Sequence, residues 1–193
     1  MMKSLPALAA ALLPDPFYQA ITVEFAASNS ARLRVLEAYF GYSMLEARRT
    51  GRCVFAPQEE DGAAAWLLPR TARVDAVESR NKAGFMSRLL GPKGSANYRE
   101  IIEFMAPRAA RHMPPDAWYL SIIGIHPDAQ GCGLGAALLR PTLDETSTQG
   151  VAAYLETFTP RNLAFYRKLG FDTVAEHLEP VTNSSYVIIR RDV

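Results

Sequence analysis

The sequence has few cysteines, almost no net charge and no long apolar run. Its 193 residues include two cysteines, Cys53 and Cys132, which are too few for a disulfide framework and favour a reducing, cytoplasmic location. The formal net charge of +1 provides no strong field for nucleic acid. No apolar run approaches the roughly 20 residues of a membrane span. We therefore expect a globular protein with neither a nucleic-acid nor a membrane partner.

A chain of this length is expected to form a single domain over residues 1–193 with a core of ordinary size. Residues 69–112 are predicted to be a helical insertion in that domain. The basic residues between 69 and 95 indicate a solvated helical connection, the alternative being that some of them meet an anionic ligand. Residues 91–94, Gly-Pro-Lys-Gly, are predicted to be a loop before the next helix.

The N-terminal stretch Met1–Leu13 is similar to a short signal peptide, but its leucines favour another interpretation. Leu5, Leu8 and Leu12 recur at helical spacing, which predicts an amphipathic helix that ends before Pro14. The other predicted elements of this half are a helical stretch over 17–25, a helix capped by Asn29 or Ser30 and ended by Gly51, and a hairpin of strands 52–56 and 63–68.

A strand followed by a glycine-rich turn dominates the second half of the sequence. The strand starts at Trp118 and contains Gly124, and a glycine inside a strand indicates a bulge or a close backbone approach. Residues 130–135, Gln-Gly-Cys-Gly-Leu-Gly, then open a helix. Such a turn directs several backbone N–H groups and a helix dipole at one point, which suits a phosphate. The turn has no Gly-Lys-Ser/Thr end and is not a Walker-type loop.

A second strand over 151–158 follows that helix, and the crossover predicts that it runs parallel to the first. It leads into a short helix over 160–169 that Gly170 ends, and then into a predicted antiparallel pair, 171–175 and 186–190. The segment from Thr159 to Phe171 reads Thr-Pro-Arg-Asn-Leu-Ala-Phe-Tyr-Arg-Lys-Leu-Gly-Phe.

Together these two segments resemble the GNAT (GCN5-related) N-acetyltransferase superfamily. Gln130, Gly133 and Gly135 occupy the positions of its pyrophosphate motif, and Asn162 and Tyr166 match the other half of the cofactor site. Within the superfamily, the sequences Leu-Glu-Thr at 155–157, Pro-Arg-Asn-Leu at 160–163 and Phe-Tyr at 165–166, with Trp118, are most similar to puromycin N-acetyltransferase-like members. The resemblance implies an α/β fold with a mixed, largely antiparallel sheet, a splayed parallel pair at its centre and flanking helices.

The resemblance also implies acetyl-CoA as cosubstrate, direct transfer of acetyl to a bound amine without an acyl-enzyme, and no metal. A bulge at Gly124 would splay the central strand, and the freed amide of Ile123 would donate to the thioester oxygen as the amine attacks. The residues expected to contact the cofactor are Ile123, Gly124, Ile125, Gln130, Gly131, Cys132, Gly133, Leu134, Gly135, Ala136, Asn162 and Tyr166.

Two residues are candidates for the proton transfers. Tyr166 matches the family's tyrosine, which implies that it protonates the departing CoA thiolate. Glu156 lies near the end of the parallel strand and is either the base for the amine or a structural partner of a backbone group or an arginine. The weaker candidates for the amine pocket are Asp15, Tyr18, Tyr39 and His112. Cys132 is not expected to be a nucleophile.

One feature departs from the family. Its members usually begin with a strand that pairs with the first hairpin, but only Met1-Met2-Lys3 precedes the first predicted helix. Either that strand is missing or another part of the chain covers the edge. The hypothesis is an N-acetyltransferase for a small primary amine, as a monomer or homodimer. The alternatives are a non-catalytic acyl-CoA-binding regulator and a protein or peptide N-acetyltransferase.

Overall fold

The computed structural model describes residues 2–193, so Met1 of the predicted N-terminal helix lies outside the described residues. The helices are α1 (Leu5–Leu12), α2 (Pro16–Ile21), α3 (Asn29–Thr50), α4 (Ala72–Leu89), α5 (Gly91–Ala110), α6 (Leu134–Gln149) and α7 (Leu163–Arg167). The strands are β1 (Gly51–Phe55), β2 (Gly62–Leu67), β3 (Trp118–Ile125), β4 (Ala153–Thr157), β5 (Asp172–Glu179) and β6 (Ser184–Arg191). Short 3-10 turns lie at Val23–Phe25, Glu59–Asp61, Pro127–Ala129 and Pro160–Asn162.

The six strands form one mixed sheet in the order β1-β2-β3-β4-β6-β5. Every neighbouring pair is antiparallel except β3 and β4, which α6 connects in parallel. That parallel pairing consists of only two steps, Trp118 opposite Ala153 and Tyr119 opposite Tyr154. Beyond them the two strands separate. The predicted fold class is therefore confirmed, including the parallel pair at the centre of the sheet.

The bulge in β3 does not lie at Gly124, and that prediction is wrong. Ala65 of β2 faces Ile122, whereas its neighbour Trp66 faces Leu120, so Ser121 is the extra residue on β3. Gly124 pairs in regular register with β2. The bulge is a property of the pairing between β2 and β3. Its extra residue increases the local twist of β3 close to the point where β4 separates from it.

Gly124 has a different role, which is the close approach of α1 to the sheet. A Cβ built on Gly124 would lie 2.9 Å from Leu8 Cδ2 and 3.3 Å from Ala11 Cβ. Both residues are on or next to α1, so the missing side chain lets this helix lie directly on β3. The prediction of a helix over the N-terminal leucines is confirmed, and its leucine Leu8 is fully buried.

Two local predictions in the helical part need correction. Residues 91–94 are not a loop but the first turn of α5, where Pro92 is tolerated because its missing N–H would have no helical partner. The cap of α3 is Ser28, one residue before the predicted Asn29, and its Oγ accepts the Ala31 N–H. Residues 69–112 contain the two helices α4 and α5, and their status as an insertion stays a prediction.

The sheet separates two apolar cores. On one face α1, α2, α3 and α5 pack against Ile122 and Ile188, and on the other α6 and α7 pack against Leu120 and Val187. Within residues 2–193 no strand pairs with the outer edge of β1, and α1 instead contacts β2 and β3. No helix in this range has the length and apolarity that a membrane span requires.

Candidate active site

The separation of β3 and β4 opens a cavity of about 1840 Å³ that runs through the sheet. One end reaches the glycine-rich turn before α6, and the other lies under α2, α3 and α5. All the predicted cofactor residues line this cavity except Cys132, which is exposed. The catalytic candidates Tyr166 and Glu156 line it as well. The two segments that carried the resemblance therefore meet at one site.

Backbone groups of β3 face the gap between the strands. The His126 N–H donates to the Asp61 carbonyl over 2.7 Å, which fixes the side of β3 that is bonded toward β2. Because amides alternate sides along a strand, the N–H groups of Ile123 and Ile125 point the other way, toward β4. The Gln130 side-chain amide donates to the Ile125 carbonyl over 3.0 Å on that side. The predicted free amide at Ile123 agrees with this register.

The glycine-rich turn presents an open concave surface. Gly131 and Gly133 have φ values of +83° and +81°, and a Cβ on either would meet no atom within 4 Å. Gly133 is also the N-cap of α6, so the unpaired N–H groups of the first helical turn point into this space. Left-handed glycines followed by a helix N-terminus make an anion-binding cradle.

Helix α7 forms the opposite wall of that cradle. A Cβ on Gly135 would lie 3.2 Å from the Phe165 ring, so this glycine allows α6 and α7 to approach closely. Tyr166 is buried next to Phe165 and Phe171, with ring centroids 5.0 Å and 5.9 Å away. Burial raises the pKa of Tyr166 well above its usual value. The phenol therefore stays protonated throughout the neutral pH range.

Glu156 is the ionisable group in the gap. Its Oε2 accepts a hydrogen bond of 3.2 Å from the Tyr119 hydroxyl, whereas its buried Oε1 has no partner. Burial raises the pKa of Glu156 to about 7, and the hydrogen bond from Tyr119 opposes that rise. Among residues 2–193 no arginine pairs with Glu156, so the alternative role of Glu156 as the structural partner of an arginine has no support. A carboxylate that is half ionised near pH 7 suits proton acceptance.

Three of the four weaker candidates line the cavity. Asp15 caps α2 by accepting the Phe17 N–H over 2.9 Å, and its other oxygen accepts from the Thr159 hydroxyl over 3.2 Å. Tyr18 and Tyr39 are buried beside it. His112 does not line the cavity and is no part of the candidate site.

Three further tyrosines in the cavity were missed as site residues. Tyr154 lies two residues before Glu156 on β4, and the period of a strand places both on one face. Tyr119 stacks on Tyr154 with centroids 4.8 Å apart and an interplanar angle of 24°. Tyr98 comes from α5 and was predicted only as part of a helix. The two-residue spacing could have revealed Tyr154, but no local pattern connects Tyr98 to the site.

A buried ion-pair cluster forms the far wall. Glu46 of α3 is 3 % exposed and receives Arg70 and Lys82 at 3.0 Å each. These pairs lower the pKa of the Glu46 carboxyl, although burial opposes them. Two of the basic residues between 69 and 95 therefore meet an anionic partner inside the protein.

The sequence of residues 94–171 matches the model of the Acetyltransferase (GNAT) family. A curated relative, mycothiol acetyltransferase from Saccharomonospora viridis, is 45% identical over 56 residues, or 28% of this chain and 18% of that protein. The matched part thus spans about a fifth of the relative's length.

Two solved structures have the same fold over nearly all of this chain. A Corynebacterium glutamicum protein described as histone acetyltransferase HPA2 and related acetyltransferase is 21% identical, covers 98% of this chain and 89% of its own, and has a TM-score of 0.65. Arylalkylamine N-acetyltransferase 2 from Aedes aegypti is 13% identical, covers 97% and 92%, and has a TM-score of 0.64. The similarity to puromycin N-acetyltransferase-like members stays a prediction. Residues 94–171, which contain the turn, Glu156 and α7, match the acetyltransferase (GNAT) family model, and the chain has the GNAT fold around them.

Proposed function

We propose that this chain is an acetyl-CoA-dependent N-acetyltransferase that transfers acetyl directly to a primary amine of a small molecule. The observation that carries the proposal is the Glu156 carboxylate in the gap between β3 and β4. It has a free buried oxygen and a pKa of about 7, and it lies in the same cavity as the unpaired amides of β3. A base and an oxyanion donor in one enclosed space are the two groups that aminolysis of a thioester requires.

The cofactor side fits acetyl-CoA by the chemistry of its donors. The turn at Gly131 and Gly133 and the first turn of α6 would hold the pyrophosphate through backbone N–H groups. The pantetheine arm would lie along β3, where Ile123 and Ile125 offer backbone groups that β4 does not use. Acetyl-CoA supplies the acetyl group already activated as a thioester.

The residues of this chain would divide the proton transfers between them. Glu156 takes one proton from the bound ammonium form of the amine, and the neutral nitrogen then bonds to the acetyl carbonyl carbon. The Ile123 N–H donates to the carbonyl oxygen as negative charge develops there, and one such donor contributes about 3 kcal/mol. When the carbon–sulfur bond breaks, the Tyr166 hydroxyl protonates the thiolate. The nitrogen releases the extra proton that it carries after the attack, and a proton is returned to the Tyr166 oxygen.

The helices over the amine end support a small-molecule substrate. Helices α2, α3 and α5 cover this part of the cavity with buried side chains, including Tyr18 and Met105. A peptide acceptor needs an open groove for its main chain. The solved mosquito structure with this fold is named as an acetyltransferase of arylalkylamines, which agrees with a small amine.

The proposal is tested with the purified chain, acetyl-CoA and a panel of primary amines, by following the release of CoA thiol. Repeated turnover with a small amine is the expected result, and it excludes a regulator that only binds the cofactor. Isothermal titration gives the affinity for acetyl-CoA, and no binding up to millimolar concentration would overturn the proposal. Binding without turnover of any amine would favour the regulator, whereas acetylation of peptides alone would favour the peptide acetyltransferase.

A further inference from the structure

We propose that the amine substrate is an arylalkylamine with a single positive charge and a hydroxyl group on its ring. This inference rests on the proposed function, and it follows from the composition of the cavity wall beyond Glu156. Three properties of that wall carry it: its aromatic surface, the pairing of its charges and its unpartnered phenol groups.

The aromatic surface is continuous around the amine end. Phe17 lies 5.1 Å from Tyr18, 6.4 Å from Tyr39 and 6.2 Å from Tyr98 between ring centroids, all in edge-to-face geometry. On the sheet side, the stacked pair of Tyr119 and Tyr154 faces the same cavity. Rings in these two arrangements favour a further flat ring beside them.

The carboxylates of the wall leave one place for an ammonium group. Asp15 is engaged with Phe17 and Thr159, and Glu46 is neutralised by two cations. Glu103 is exposed on α5. Glu156 is the carboxylate whose buried oxygen has no partner among residues 2–193. A second ammonium group would have to compete with the existing hydrogen bonds of Asp15 or with the cations of Glu46, which is costly.

The partly buried cations of the wall are also paired, which disfavours an amino acid. Arg70 and Lys82 both bind Glu46, and the Arg70 Nε also binds Asp75 over 2.7 Å. Arg99, the other cation on this side, is exposed. The carboxylate of an amino-acid substrate would have no free buried cation to meet it.

The phenol groups indicate a polar substituent on the ring. The hydroxyls of Tyr18, Tyr39 and Tyr98 have no hydrogen-bond partner in residues 2–193, and all three residues line the cavity. Burial raises the pKa of all three phenols, and the proximity of Tyr98 to Tyr18 and of both to Tyr39 raises the pKa of Tyr18 and Tyr39 further. Three neutral hydroxyls in one place can donate to and accept from a ring hydroxyl of the substrate.

The test compares kcat/KM for tyramine, 2-phenylethylamine, putrescine and phenylalanine. We expect the kcat/KM of both arylethylamines to exceed that of putrescine and of phenylalanine at least about ten-fold, with tyramine the best substrate. The reason is that burying a charge without a partner lowers kcat/KM by more than about ten-fold. Preference for putrescine or for phenylalanine would overturn this inference and leave the proposed function standing. Absence of turnover with every amine would overturn the proposed function and the inference with it.

The hydroxyl contact is tested with Tyr98→Phe and Tyr39→Phe. Removal of one hydrogen bond is expected to lower the kcat/KM ratio of tyramine to 2-phenylethylamine about five-fold in at least one of the two variants. The urea unfolding midpoint of each variant shows that it is folded, and the ratio compares the two amines within one variant. Tyr42→Phe is the matched control, since Tyr42 lies outside the cavity lining and stacks on Phe85. An unchanged ratio in both Tyr98→Phe and Tyr39→Phe would contradict the proposed ring hydroxyl.

Discussion

The Tyr119 hydroxyl donates to Glu156 Oε2 over 3.2 Å, and this hydrogen bond opposes the effect that burial has on the same carboxyl. Burial raises the pKa of Glu156 to about 7, and a donor to the ionised form lowers it. Tyr119 is itself held by its stacking on Tyr154. We regard Tyr119 as a positioning residue that orients the carboxylate and keeps its pKa within the neutral range.

Tyr119→Phe should therefore move the acid limb of the kcat/KM profile to higher pH. The ring remains stacked on Tyr154, but the ionised form of Glu156 loses its donor, so its pKa rises. At pH 7 the activity should fall several-fold, and at high pH it should recover most of its value. Tyr42→Phe removes a phenol elsewhere and should leave the profile in place. An unshifted acid limb in Tyr119→Phe would show that this hydrogen bond does not set the pKa of the base.

Glu156 is expected to give the wild-type profile its acid limb, with activity rising through about pH 7 as the carboxyl ionises. Glu156→Gln should lower kcat by about 10²–10⁴, the usual contribution of general acid–base catalysis. Its affinity for acetyl-CoA, measured by titration calorimetry, should be retained. Glu176→Gln changes an exposed carboxylate on β5 and should behave as wild type. Retention of full kcat in Glu156→Gln would remove Glu156 from the role of base.

Glu156→Gln should also change how the free energy of unfolding depends on pH. The folded pKa of Glu156, about 7, lies above the ordinary value of 4.5, so the folded protein retains a proton that the unfolded chain releases. The unfolding free energy should fall as pH rises from about 4.5 to about 7, by at most about 3 kcal/mol. Glu156→Gln should lack this fall, which urea unfolding at pH 5 and pH 8 would measure.

Tyr166→Phe should lower kcat more than it lowers the affinity for acetyl-CoA. The phenol is held protonated by burial and lies in the same cavity as the turn, so it can protonate the thiolate without contributing to the pyrophosphate site. Single-turnover kinetics together with calorimetry separate the two effects. An unchanged kcat would show that the thiolate leaves without help from Tyr166.

Local patterns in the sequence were sufficient to predict the elements that form the proposed cofactor half of the site. The strand, the glycines of the turn and the segment through Tyr166 are contiguous, and each carries its signal within about ten residues. The parallel pairing of β3 and β4 followed from one crossover. In contrast, the bulge at Ser121 arises from the register between two strands, which the sequence of β3 alone does not contain.

The amine half depended on packing between distant segments. Tyr98 reaches the cavity because α5 lies against α2, which brings its ring within 6.2 Å of Phe17 across about eighty residues of sequence. Glu46 likewise pairs with Arg70 from the loop after β2 and with Lys82 from α4. Helical periodicity predicts which face of its own helix a residue occupies, but it does not predict which other helix that face contacts.

Gly124→Ala should destabilise the fold, because the new methyl group would meet α1. Its Cβ would lie 2.9 Å from Leu8 Cδ2, so either the helix or β3 must move, at a cost of about 1–3 kcal/mol. Gly84→Ala is the matched control inside α4, where the Cβ would meet only the end of Arg88 at 3.7 Å. It should gain about 0.5–1 kcal/mol from helix propensity. Equal unfolding midpoints for the two variants in urea would contradict the close contact.

Gly133→Ala should weaken acetyl-CoA binding by more than its effect on stability explains. The left-handed φ of +81° costs alanine roughly 1–2 kcal/mol, and the methyl group would enter the open space where the pyrophosphate is expected. Gly150→Ala carries the same backbone strain, with φ of +68° and no atom within 4 Å, but lies at the other end of α6. Both variants should lose similar stability in urea unfolding, and calorimetry should find the affinity lowered in Gly133→Ala alone. A similar affinity in both variants would mean that the turn does not cradle the cofactor.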